Sequence, residues 1–268
     1  MGKINKFKFE YWNNLFLLSF LIYLFISISE INVLKSSTLD INNLIVSIFG
    51  NLNYNSKDIL INSSNYIFNF LIITYLCCDY IKKDFNKNAI YIFTRTDKKS
   101  KWVNNKLLNL IFFICFYYII QIMFVTLIAL FMGFNIYNIY KFIFLIFCIL
   151  LNLTTTALII SLISNIISFK LNGLLGYTIS QCIFSICILS SYTLNLFNIS
   201  ETYLRFIPFI NSITSWYSSF NSFLDRNLTN LTFYIENHIF IFNVLINILV
   251  IFILQIIIKK IVKEIDII

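Results

Sequence analysis

Residues 79–106 read DYIKKDFNKNAIYIFTRTDKKSKWVNNK, and this stretch decides how the rest of the chain is read. It carries eight of the twenty Lys and Arg residues: Lys82, Lys83, Lys87, Arg95, Lys98, Lys99, Lys101 and Lys106. Apolar runs lie on both sides of it, each long enough to cross a bilayer, for which about twenty mostly apolar residues suffice. A basic, hydrophilic island between two such runs predicts a loop on the cytoplasmic side, where Lys and Arg accumulate. It is also the place where a soluble cytoplasmic partner finds a sizeable polar surface.

The composition agrees. Of 268 residues, 59% are hydrophobic and 12% charged, with mean hydropathy +0.82. Soluble domains carry roughly 45–50% apolar and about 25% charged residues, which excludes an ordinary globular protein. Apolar runs predict spans over about 15–34, 59–78, 107–132, 142–164, 173–197 and 239–258. The expected fold is an all-α integral membrane protein with six transmembrane helices and a single transmembrane domain over 1–268. With both termini cytoplasmic, the inner side holds Lys3, Lys6, Lys8, the eight residues of the island, Lys170, Lys259, Lys260 and Lys263. The outer side keeps Lys35, Lys57, Lys141, Arg205 and Arg226. Fifteen basic residues against five is the bias expected of inner loops. The net charge of +8 is thereby assigned to orientation, and no nucleic-acid partner is expected.

Three segments outside the spans have their own patterns. Lys3, Lys6 and Lys8 interleave with Phe7, Phe9, Tyr11 and Trp12, which suits a short helix lying at the inner headgroup level, the alternative being a plain anchoring flank of the first span. Ile41, Leu44, Ile45, Ile48, Phe49 and Leu52 follow one helical face, predicting an amphipathic helix that rests on the outer leaflet or on other spans. Residues 198–238 are too apolar for a solvated loop, yet Arg205, Asp225, Arg226 and Pro208, the only proline, bar a full span. The expectation is two re-entrant helices before the last span, with Arg205, Pro208 and Trp216 in the segment, the alternative being an amphipathic segment lying on the surface; irregular backbone at such depth is tolerated where protein buries it.

Much chemistry is absent. The single histidine, His238, leaves no partners for a His-based triad or a His-rich metal site. None of the five glycines opens a GxxxxGK loop or a GxGxxG turn, so no nucleotide cofactor is expected in this chain. No carboxylate pair lies mid-span, which weakens a proton- or cation-coupled transporter. The mid-span polar residues are uncharged, among them Gln121, Asn152, Ser161, Asn165 and Gln255. Hydrogen bonding between helices accounts for such groups. The functional alternative is that Thr154, Thr155, Thr156 and Gln181 line a polar translocation path. A catalytic role is not expected.

Within the island, Ile81, Phe85, Ile90 and Ile92 recur among charges from Tyr80 to Phe93, predicting a short amphipathic helix. Thr96 or Asp97 is placed to cap a second helix running into the third span. Lys98, Trp102 and Lys106 lie four apart on it, with Trp102 at headgroup depth. The layout resembles the membrane subunits of ATP-binding-cassette exporters of the type-2 permease class, in which a coupling helix between spans two and three docks on the ATPase. Arg95, Lys98, Lys99, Lys101, Trp102 and Lys106 match the basic, Trp-containing run that leads into the third span of that family. The resemblance implies docking through Asp84, Phe85, Lys87, Ile90, Ile92 and Arg95, with membrane anchoring by Lys98, Lys99, Lys101, Trp102 and Lys106. It also implies ABC ATPase subunits that hold ATP and Mg, and a second permease chain, identical or related. The setting implied is a bacterial plasma membrane and export of a peptide, drug or lipid-like amphipathic substrate. The alternative is a non-transporting accessory or bacteriocin-immunity protein acting through its outer segments.

Overall fold

The structure is a computed structural model that describes residues 2–35, 39–52, 59–93, 99–196, 209–220, 224, 231, 234–235 and 238–264, with side chains in these except 2–13, 59–61, 88–93, 194–196 and 211. The α-helices are α1 (Gly2–Leu34), α2 (Ile41–Gly50), α3 (Ile59–Cys77), α4 (Tyr80–Phe93), α5 (Lys99–Phe131), α6 (Ile139–Lys170), α7 (Gly173–Leu196) and α8 (Phe240–Glu264). Strand pairing among the described residues is confined to two isolated bridges, Asp40 with Asn135 and Tyr217 with Ile235.

Five helical stretches are long and apolar enough to cross a membrane: Asn14–Leu34, Lys99–Phe131, Ile139–Lys170, Gly173–Thr193 and Phe240–Glu264, of 21, 33, 32, 21 and 25 residues. The expected second span coincides with α3, which has 19 residues. One expectation needs correction. The N-terminal segment is not a separate interfacial helix, because residues from Gly2 onward run unbroken into α1. Its sequence holds no Pro or Gly after Gly2 to interrupt the i→i−4 ladder.

The chain divides into two compact units. The first comprises Met1–Ile72, Tyr118–Leu150 and Ile213–His238. At its centre lies α2, capped by the Asp40 side chain, which accepts from the Asn42 N–H at 3.0 Å. Ile41, Leu44, Ile45 and Phe49 are fully buried, and Asn42 and Asn43 are buried as well. The helix therefore packs on protein all round rather than lying on a leaflet. It contacts α1, where Tyr23 meets Phe49 at 5.2 Å between ring centroids, and the turn Thr214–Trp216. Asn69 Nδ2 donates to the Ile48 carbonyl at 3.0 Å, and Tyr118 donates to the Asn69 carbonyl at 3.2 Å.

Residues leading into α2 are tied to the end of α5. Gly133 has φ +89°, a left-handed conformation open to glycine at no steric cost. Its N–H bonds to the Leu130 carbonyl, and the Phe134 N–H bonds to that of Ala129 at 3.0 Å, which closes α5 as a Schellman motif. Asn135 then donates to Leu39 and accepts from Ile41.

The described part of the segment before α8 holds only single-turn 3-10 helices, Ile210–Ser212, Thr214–Trp216 and Ser218–Phe220, where two re-entrant helices were expected. Arg205 and Pro208 lie outside the described residues. Trp216 is fully buried and donates from Nε1 to the Leu52 carbonyl at 2.7 Å. Tyr217 stacks on His238 at 4.8 Å with 12° between the rings, so the lone histidine is a packed partner here.

The second unit comprises Ile73–Tyr117, Leu151–Ser212 and Ile239–Ile268. Within it α6 and α7 form a tight hairpin. An ideal Cβ added at Gly176 comes within 2.6 Å of the Ser164 backbone oxygen and 3.2 Å of the Ser168 nitrogen. Backbone cannot rotate away as a side chain can. Gly176→Ala is expected to destabilise the protein by about 2 kcal/mol, the usual scale of overpacking. Denaturation in mixed micelles reads it, and wild-type stability in that variant refutes the close approach.

Candidate functional site

The site is built where α4 meets the ends of α3, α5, α6 and α7 in the second unit. The local sequence explains the geometry. On α6, Ser161, Ser164, Asn165 and Ser168 recur at three- and four-residue spacing, so the last turns of an apolar helix carry one polar stripe. That stripe faces the break between α3 and α4. Asn165 Nδ2 donates to the Cys77 carbonyl at 2.7 Å and to the Ser161 carbonyl at 2.8 Å, while its Oδ1 accepts from the Ile81 N–H at 2.9 Å. Ser164 donates to the Cys78 carbonyl at 3.1 Å. One amide thus satisfies a carbonyl at the end of α3 and an N–H at the start of α4, two of the groups that helix ends leave bare.

Lys82 extends the clasp. Its Nζ donates to the Ser168 carbonyl and, at 2.6 Å, to that of Leu171, placing a cation on the C-terminus of α6, where the helix dipole favours it. Asp79 pairs with Lys83 at 2.9 Å. Gly173 opens α7 directly against Asp79, leaving 2.5 Å between an ideal Cβ and the carboxylate.

The other side of α4 is held by α5. Lys106 reaches Asp84 at 2.8 Å and lies 5.6 Å from the centre of the Tyr80 ring. Phe85 packs edge-on to Trp102 and to Phe169, with both centroid distances 6.0 Å. Phe85 is 5% exposed and Trp102 9%.

These contacts sort the residues that the sequence assigns. Asp84 and Phe85, expected on the docking face, are turned towards α5 and α6. Trp102, expected at headgroup depth, packs on Phe85, and Lys106 is engaged by Asp84. Among the described side chains of α4, those left exposed are Lys83, Asn86 and Lys87. Ile90 and Ile92 belong to α4, but their side chains lie outside the described residues, as do Arg95 and Lys98 altogether. Lys101 is exposed, and Lys99 Nζ donates to the Lys263 carbonyl at 3.4 Å. The sequence reads Asn165 as one of many polar residues bonding between helices and Lys82 as an orienting charge, and leaves Ser164 unassigned; the structure brings the three together. The Ser/Asn stripe was the available signal.

The supposed path residues fall further along the same unit. Thr154 and Thr155 donate back to the Leu151 carbonyl, and Thr155 accepts from Asn247 Nδ2 of α8 at 3.3 Å. Gln181 Nε2 donates to the Thr74 hydroxyl. The bonds to Asn247 and Thr74 join helices, while those to Leu151 stay within α6. Thr156 and Asn152 differ: one turn apart on α6 and fully buried, neither has a hydrogen-bond partner for its side-chain polar atoms. Buried polar groups of this kind are costly unless something polar completes them.

Among the described residues no group of three or more His, Cys, Asp or Glu side chains is arranged to hold a metal ion. No family model, curated protein or solved structure matches this chain.

Proposed function

We propose that the chain is the permease subunit of an ATP-binding-cassette exporter of the type-2 class. In this reading α3 is the remaining span, making six. Both termini are cytoplasmic, the segment around Pro208 re-enters the membrane from outside, and two permease chains pair in a bacterial plasma membrane. ATP and Mg belong to separate ATPase subunits. The observation that carries the reading is the clasped α4. A short helix fixed to the bundle at its start by Asn165 and Lys82, and over its first turns by Lys106 and Trp102, delivers a push on its exposed face to the ends of α3, α5 and α6. That is what coupling to a soluble motor requires. The unpartnered Asn152 and Thr156 support a polar path for an amphipathic peptide, drug or lipid-like substrate, with Thr154, Thr155 and Gln181 flanking it.

The test co-expresses the full chain with an ATPase of this class, taken from a neighbouring gene where one is encoded there. Reversing the exposed charges in Lys83→Glu/Lys87→Glu is expected to reduce recovered ATPase at least about tenfold, a loss of roughly 1.4 kcal/mol. Unchanged recovery and ATP turnover overturn docking through α4. A gene without an ATPase neighbour, with function retained, favours the accessory or immunity alternative.

A further inference from the structure

The second unit holds a feature that the ATPase reading does not use, the seam between α5 and α8. Two ties join these helices. Asn104 Oδ1 accepts from Gln255 Nε2 at 2.9 Å, and the Lys263 carbonyl accepts from Lys99 Nζ. Residue numbers rise on one helix as they fall on the other, so the two run antiparallel along the seam. One turn from Asn104 on the same face is Lys101, and one turn from Gln255 is Lys259. In an antiparallel pair both steps lead to the same end. In the opposite direction the faces continue as Leu108, 52% exposed, and Phe252, 60% exposed.

The chemistry changes along the seam from two ammonium groups, through an amide pair, to apolar side chains. The described carboxylates of this unit are engaged with other lysines: Asp79 with Lys83, Asp84 with Lys106, and Glu264 with Lys260 at 3.9 Å. Lys101 and Lys259 are left with no carboxylate partner among the described residues. We infer that this seam binds one anionic phospholipid, with its phosphate on Lys101 and Lys259, its polar backbone at the Asn104–Gln255 pair, and an acyl chain along Leu108 and Phe252. A phosphate supplies negative charge to both ammonium groups, and the apolar stretch below it matches a chain that a free phosphate lacks. The inference needs only that the helices lie in a bilayer and stands whether or not an ATPase docks.

The test is thermal unfolding of the full chain in detergent, titrated with phosphatidylglycerol, phosphatidylcholine or glycerol phosphate. Phosphatidylglycerol is expected to stabilise the protein saturably and the other two not. Each lysine near an anionic headgroup contributes about fivefold in affinity, so Lys101→Gln/Lys259→Gln is expected to weaken the effect roughly thirtyfold. Lys87→Gln, elsewhere in the unit, is expected to leave it unchanged. If the double variant does not fold, the single variants are read, each at about fivefold. Equal stabilisation by phosphatidylcholine, an equal effect of glycerol phosphate, or phosphatidylglycerol affinity within threefold of wild type in the double variant each overturns the site.

Discussion

Trp216→Ala is expected to destabilise the first unit by about 3–5 kcal/mol, the range for truncating a large buried aromatic. Trp216 is fully buried, and its indole N–H holds the Leu52 carbonyl just beyond the end of α2. Its backbone carbonyl accepts from the Ile235 N–H at 3.0 Å. The adjacent Thr214 lies against Gly50, where an ideal Cβ comes within 2.6 Å of its side chain. Removing the indole opens a cavity beside α2 and leaves the Leu52 carbonyl short of a donor. Trp216→Phe keeps most of the apolar volume and loses the hydrogen bond, so it is expected to cost about 1–3 kcal/mol. Hydrogen exchange of the α2 amides, read beside global unfolding, locates the loss. A Trp216→Ala protein within 1 kcal/mol of wild type, with α2 amides equally protected, refutes the account of α2 as a packed internal helix.

Asn165→Leu is expected to cost about 3 kcal/mol. Leucine matches asparagine in the number and branching of its heavy atoms, although its methyl groups are bulkier, so lost hydrogen bonding is joined by some overpacking. It leaves the Ile81 N–H and the Cys77 carbonyl without the amide that satisfies them. Orphaned buried backbone groups cost about 1–3 kcal/mol each. Asn165→Asp sharpens the test. Its carboxylate still accepts from Ile81 but cannot donate to Cys77, and it buries a charge. It is expected to be at least as damaging at neutral pH, although half of the clasp survives. Equilibrium unfolding gives the magnitude, and faster amide exchange at the start of α4 ties it to the clasp. If both variants keep wild-type stability and α4 protection, Asn165 does not hold the two helices together.

The contrast between α2 and α4 shows what was legible in the sequence. Apolar length alone marks membrane-crossing helices, because a run of twenty apolar residues has few other stable fates. The one-face pattern from Ile41 to Leu52 predicts α2 for the same kind of reason. What that pattern cannot tell is what covers the other face. Asn42 and Asn43 look solvated in sequence and are buried in the structure. In α4 the helix was readable and the outward face was not. Phe85 has the chemistry of a docking residue, but Trp102 and Phe169 claim it, and charge pattern does not say which carboxylate Lys106 will choose. Asn165 was visible as one polar residue among many. Only geometry separates it from Asn152, which has the same side chain and no hydrogen-bond partner. The boundaries of α6 also ran past the apolar window, because charged and aromatic residues near its ends continue the helix, whereas the early start of α5 was readable from Thr96 or Asp97 as its expected cap.

The clasp also sets an order of events during synthesis. Asn165 and the Cys77 carbonyl are 88 residues apart, and Lys82 and the Leu171 carbonyl are 89 apart. Chain growth at about 5–20 residues per second leaves α3 and α4 waiting roughly 5–20 s for their partners on α6. Through that interval the carbonyls at the end of α3 need water, since hydrocarbon offers no donor. The newborn α3–α4 junction is therefore held at the wet margin of the bilayer until α6 arrives. A ribosome that pauses before residue 165 leaves behind an intermediate with this junction open to proteases and chaperones.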